Sequence, residues 1–185
     1  TPRDIGTVFR NPDLARTYER IAHLGVKGFY RGAVADAMVE TVQHPPVAAN
    51  ADHVWRSGLM TMRDLARYQA VERAPTRIEY RGLDVYSMGP PSSGGSTVGE
   101  ALNILEGYDL SGFTREAALH YLLEASRFSF ADRNAYLADA DYVDVPLAGL
   151  LSDSLAAQRR GLITDTAAPR PVLAGDPFPH ERHAL

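Results

Sequence analysis

Tyr80-Arg-Gly-Leu-Asp-Val-Tyr-Ser-Met-Gly-Pro-Pro-Ser-Ser-Gly-Gly-Ser96, with Asn103-Ile-Leu-Glu-Gly-Tyr-Asp-Leu110 behind it, is the stretch on which the fold of this chain turns. Residues from Ile78 to Met88 alternate in the manner of a β-hairpin, with Arg81-Gly82 near its tip. Pro90-Pro91 ends the second strand, because proline donates no ladder hydrogen bond and restricts the residue before it. Ser92-Ser93-Gly94-Gly95 then makes a tight turn, and a helix is expected to start near Ser96 or Thr97. Free N–H groups at such a start, beside glycines that let a partner come close, leave two readings: a structural turn or an anion-binding nest.

Three catalytic readings of that turn fail on the residues themselves. A phosphate-cradling loop needs Lys-Ser/Thr after its last glycine, and Gly95 is followed by Ser96-Thr97. No serine here has the flanking glycines of a nucleophile elbow, and neither Ser92 nor Ser93 has a lysine three residues on.

Outward from the turn, helices dominate. Asn11 caps a first helix with Pro12 at its first position and Asp13 favourable to its dipole; Leu14, Tyr18, Ile21 and Ala22 share a face, and Gly25 stops it. Gly28 to Arg31 reads as a link. A second helix follows over about 32–43, with Val34, Met38 and Val42 as its stripe, before His44-Pro45-Pro46 breaks it. Residues 47–58 lack periodicity, and Trp55 is expected to anchor them by burial. Thr61 caps a short helix to Tyr68, with Asp64 at the capping-box position. Beyond the turn, a helix to Glu106 is expected to bury Val98, Ala101, Leu102 and Leu105. The longest helix runs from Thr114 to about Leu137, burying Ala118, Tyr121, Leu122, Ala125, Phe128 and Ala131-Asp132, and one more covers 147–160.

The fold class is therefore α+β: a mainly helical unit over residues 1–165 with one hairpin. A polar, proline-bearing tail over 166–185 is expected to be mobile or draped over a partner. Asp132 or Arg133, with Tyr136 a turn further on, is expected to pair with a neighbouring segment and hold the long helix against the hairpin. Asp139, Asp141 and Asp144 miss the EF-hand spacing and read as solvated turn acids. The histidines fit no zinc spacing. A net charge of -4 gives no footprint for nucleic acid, no apolar run approaches a bilayer span, and the absence of cysteine excludes disulfides.

The blocks Met88 to Gly95 and Leu102 to Leu110 resemble the large-subunit part of γ-glutamyltranspeptidases. Further blocks follow the same family in order: Gly28-Phe-Tyr-Arg-Gly32, Met60 to Tyr68 and Val71-Glu-Arg73 upstream, Ala131 to Asp139 and Asp141 to Pro146 downstream. The resemblance covers most of residues 11–165. It implies a precursor of the N-terminal-nucleophile class that cuts itself into a large and a small subunit. The small subunit's first threonine attacks a γ-glutamyl amide, its own α-amine serving as base, and the acyl group passes to water, an amino acid or a peptide. The hairpin would join that class's αββα sandwich.

Relative to that pattern, no Thr-Thr-His block occurs in these residues, nor the small subunit's serine and glycine pairs, nor the large-subunit arginine that binds the substrate carboxylate. Thr1, followed by Pro2, does not continue as a nucleophile block. The expectation is a second half of a large subunit ending near the processing junction, inactive alone. It requires no cofactor and no metal, and contributes no catalytic residue. Pro91, Ser92, Ser93, Gly94, Gly95, Asp132, Arg133 and Tyr136 are its structural or subunit-interface candidates. Its partners would be the small subunit, the rest of the large subunit and, once assembled, a γ-glutamyl substrate; produced alone, it should self-associate through its hairpin and long helix. A cephalosporin acylase or poly-γ-glutamate-processing member is the alternative within the family, and a non-catalytic helical binding module the alternative outside it. The family points to a periplasmic, secreted or extracellular setting, with the cytoplasm left open.

Overall fold

The computed structural model describes residues 5–179; Thr1 and the end of the tail, 180–185, lie outside the described residues. The chain forms two units, one reaching to Val71 and the other starting at Glu72.

The first unit holds α1 (Pro12–Leu24), α2 (Lys27–Tyr30), α3 (Ala33–Gln43) and α4 (Met62–Arg67). Asn11 caps α1 as expected, its Oδ1 accepting from the Leu14 N–H at 3.0 Å, and Gly25 ends it at φ 59°. The supposed link at 28–31 is instead a helical turn, α2. Gly28 allows it, because a Cβ there would lie 2.7 Å from the Arg20 carbonyl oxygen. Asp64 serves in the capping box despite the usual preference for glutamate: Thr61 N–H donates to its carboxylate at 2.8 Å. Among the described residues of this unit only Gly28, Ala35 and Leu65 are buried. The α3 stripe is centred on Ala35, with Val34, Met38 and Val42 half-buried, and Leu14 and Tyr18 of α1 stay exposed. Trp55 is not the buried anchor expected; it is 52% exposed, and its ring meets that of His53 at 4.7 Å.

The second unit begins with the hairpin β1 (Thr76–Tyr80) and β2 (Leu83–Ser87), paired from Thr76↔Ser87 to Tyr80↔Leu83. Its two-residue turn has both central residues at positive φ, Arg81 at 55° and Gly82 at 73°, matching the right-handed strand twist. Arg81 is held in that unusual conformation by α5 (Ser93–Glu106). Its N–H reaches the Glu106 carboxylate at 3.1 Å, and its guanidinium donates to the carbonyls of Leu105 and Tyr108.

The helix α5 starts three residues earlier than the glycines predict. Gly95 and Gly99 lie one turn apart on the same side, and a Cβ at 95 would come within 2.0 Å of Thr76 Oγ1, one at 99 within 3.2 Å of Ile78 Cγ2. Close contact with β1 outweighs the helix cost of glycine. Burial then extends round most of the helix: Ser96, Thr97, Glu100, Asn103, Ala101, Ile104 and Leu105 are all buried, whereas the expected inward Val98 is exposed.

A 3-10 turn (Leu110–Gly112) leads to α6 (Arg115–Tyr136), capped by Thr114 as expected. The predicted helix over 147–160 is two, α7 (Leu147–Leu150) and α8 (Asp153–Arg160), because Ser152 accepts from the Leu155 N–H and restarts the helix. Ile104, Leu105, Ala125, Phe128, Ala156 and Ile163 form the core where α5, α6 and α8 meet. Arg160 donates to the carbonyls of Asn103 and Ile104 at 2.9 Å, satisfying the last turn of α5. No helix among the described residues is long and apolar enough to cross a membrane.

Candidate functional site

The serine–glycine turn is closed upon itself. Ser92 Oγ accepts from the Gly94 N–H at 3.2 Å, Gly95 N–H donates to the Met88 carbonyl at 3.0 Å, and Ser92 N–H to Gly89 at 3.1 Å. Pro91 enters it through a cis bond from Pro90, and Ser93 is the first residue of α5. These three N–H donors, which an anion would need, are already used within the chain, and Gly95 sits against Thr76 with no space between.

Charge is concentrated two turns further along α5. Glu100, Asp132 of α6 and Arg159 of α8 are 2%, 0% and 3% exposed. Arg159 grips both oxygens of Asp132, with Nε donating to Oδ2 at 2.8 Å and Nη2 to Oδ1. The Gly175 N–H adds a third donor to Asp132 at 2.5 Å, and Arg159 Nη2 also donates to the Leu173 carbonyl at 3.1 Å. Glu100 lies against this pair. Burial, then its hydrogen bond to Asp132 and that group's charge, push its carboxyl up to about 10, Arg159 opposing weakly. Glu100 is thus a neutral acid donating its proton to the Asp132 carboxylate, and its Oε1 has no hydrogen-bond partner. With that proton in place, the triad carries one negative and one positive charge and is balanced.

The cluster and further residues of α6 together secure the irregular segment 164–179, which runs along the length of that helix. His120 Nε2 is 2.7 Å from the Thr164 carbonyl, Glu124 accepts from the Ala168 N–H at 2.9 Å, and Arg127 donates to the Ala168 carbonyl at 2.8 Å. Farther on, Tyr136 Oη donates to the Gly175 carbonyl at 2.6 Å, and the Phe178 ring meets Tyr136 edge-on at 5.9 Å. Burial raises the Glu124 carboxyl, but the Ala168 N–H and Arg127 outweigh it, and the net shift is downward. The described part of the tail is therefore strapped to its own chain, with Pro177 fully buried.

Asp132 does pair with a neighbouring segment, but with α8 and the strap, not with the hairpin. Arg133 is exposed, and its guanidinium donates to Asn134 at 2.9 Å. Asp132 and Tyr136 converge on Gly175, while the turn residues Pro91 to Gly95 stand apart, joined to them through α5. Asp141 and Asp139 are not merely solvated; Arg73 lies 2.6 and 3.9 Å from them. The sequence reading missed Glu100 and Arg159. Each carried a signal, a charge one turn from apolar residues on a buried face: Glu100 with Ile104, Arg159 with Leu155 and Ala156.

The family model for gamma-glutamyltranspeptidase matches residues 1–183. This chain belongs to that family. It is 40% identical over 173 residues to a glutathione hydrolase proenzyme of Pseudomonas sp. (strain A14), covering 91% of this chain and 28% of that relative. It resembles the crystal structure of Helicobacter pylori gamma-glutamyltranspeptidase at a TM-score of 0.69 and 36% identity, over 91% of this chain and 46% of that one. A cephalosporin acylase from Bacillus halodurans matches at 0.70 and 29% identity, over 94% of this chain and 30% of that one. The chain thus spans little more than a quarter of the first relative's length.

Proposed function

We propose that this chain is a large-subunit segment of an enzyme that transfers or hydrolyses γ-glutamyl groups, with the attacking threonine supplied from outside these residues. One observation carries the reading: the family match runs from residue 1 to 183 while the chain fills only 28% of a glutathione hydrolase proenzyme. A supporting part for the segment is favoured by the way its buried charges are used. Its buried Asp132 and Arg159 satisfy each other, as scaffold groups do, instead of converging on an open cleft. Pro91, Ser92, Ser93, Gly94 and Gly95 seat α5 on the hairpin; Asp132 and Tyr136 hold the strap. Arg133, exposed, is the candidate for contact with another subunit. The partners are the small subunit and the rest of the large subunit of the same precursor.

The test is production of the full-length polypeptide and of the 185-residue chain. Mass spectrometry of the first should show one precursor becoming two chains, with glutathione consumed only by the processed form. Glutathione consumption by the 185 residues alone refutes the reading. A second reading, acylase activity on a cephalosporin, draws on the equal fit to the Bacillus halodurans enzyme. Turnover of a cephalosporin amide with no turnover of glutathione would select it.

A further inference from the structure

Helix α6 is apolar on two opposite sides. One side, with Ala125 and Phe128, lies in the core. The other carries Leu119, Leu122, Leu123 and Phe130, exposed by 45, 44, 61 and 53%. These positions, with Ser126 between them, recur at helical spacing and form one stripe of roughly 16 Å at 1.5 Å per residue. Ser126 turns its Oγ back to the Leu122 carbonyl at 2.7 Å, so the middle of the stripe is a notch whose polar atom is already satisfied. A single exposed leucine needs no explanation, but four large apolar side chains in register over three turns mark a contact surface.

We infer that this stripe is the seat of an amphipathic helix contributed by the part of the polypeptide outside these 185 residues. The inference rests on the reading of the chain as a segment of a longer precursor. The chain covers 46% of the Helicobacter pylori chain and 28% of the Pseudomonas proenzyme, so proteins of this family hold more than enough additional polypeptide to cover it. A helix fits because ridges at three- and four-residue spacing take the ridges of a crossing helix, and the Ser126 notch admits a large side chain between Leu122 and Phe130. A second copy fits worse. In an antiparallel pair of α6 helices the same flank faces itself, which sets the exposed Arg115 of each copy beside Arg133 of the other.

The experiment uses the full-length polypeptide with Leu123 or Phe130 replaced by the photo-crosslinking amino acid p-benzoylphenylalanine, irradiated and mapped by mass spectrometry. The expected result is a crosslink from both positions to one peptide outside residues 1–185, with a yield unchanged by tenfold dilution. Crosslinks to residues 1–71, crosslinks that vanish on dilution, or none at all overturn the inference. A milder variant, Leu119→Cys, guards against misfolding of the bulky one. This segment has no cysteine of its own, and the new thiol should react at least tenfold more slowly with a maleimide in the native protein than after unfolding; equal rates overturn the inference. Glutathione turnover is measured on the same samples. A crosslinked but inactive protein defeats the γ-glutamyl assignment alone, whereas an active protein without the crosslink defeats the helix seat alone.

Discussion

Replacing Glu100 by glutamine should stabilise the folded protein at neutral and alkaline pH and leave it nearly unchanged near pH 5. The folded carboxyl keeps its proton to about pH 10, against an ordinary value of 4.5. Between those values the unfolded chain has released a proton that the folded chain retains, so stability falls as pH rises, by up to ~1.4 kcal/mol per unit. From pH 6 to pH 8 that amounts to about 3 kcal/mol at most, or up to roughly 10 °C in Tm for a protein of this size. Glutamine has nearly the same shape, donates an N–H to Asp132 as the neutral acid does, and has no proton to lose. Thermal unfolding by circular dichroism across pH 5–9 is the assay: the wild-type Tm should fall relative to E100Q as pH rises, and the two should converge near pH 5. Parallel curves over that range would refute a neutral Glu100 and, with it, the charge balance of the triad.

Asp132→Ala should cost about 3–5 kcal/mol in urea unfolding, because it leaves Arg159 buried and unpaired; amide exchange of residues 168–176 should rise with it. Gly95→Ala forces a methyl into Thr76 and should cost about 1–3 kcal/mol, whereas Gly94→Ala, whose nearest neighbour is a side-chain oxygen at 3.4 Å, should cost clearly less. Equal effects would count against close packing of α5 on the hairpin. Tyr136→Phe removes the hydrogen bond to Gly175 and should cost about 1 kcal/mol. Glu124, with its lowered folded pKa, contributes stability that is present above its ordinary value of 4.5 and lost as pH falls through the folded value. Glu124→Gln should therefore flatten the acid side of the stability profile, which unfolding between pH 3 and 6 would show.

Local chemistry was legible in the sequence wherever the cause lay within a few residues. Asn11, Thr61 and Thr114 cap their helices through N–H groups three positions on, and Gly82 marks the hairpin turn by its own tolerance of positive φ. The failures share a different cause. Ser93-Gly94-Gly95 reads as non-helical because glycine lowers helix propensity, and what reverses that is a strand packed against it, at Thr76 and Met88. The α5 stripe was misplaced because burial on several sides erases amphipathic contrast. Asp132 was singled out, but its partner stands 27 residues away on a helix whose existence as a separate element depends on Ser152.

The strap shows how such long-range terms decide the organisation of this segment. Residues 164–179 form no α-helix or strand and carry four prolines, so no repeating backbone hydrogen bonding holds them in place. What orders them is a set of buried charged side chains on α6 and α8 whose hydrogen bonding the strap completes: Glu124 takes the Ala168 N–H, Asp132 the Gly175 N–H, and Arg159 the Leu173 carbonyl. Each of these contacts satisfies both sides, a backbone group of the strap and a charge of the helix, so releasing the strap would expose two unmet demands at once. The pair Asp132–Arg159 therefore does more than join two helices. It makes the position of residues 173–175 a condition for the stability of the core, which couples the strap to the seating of α6 and α8.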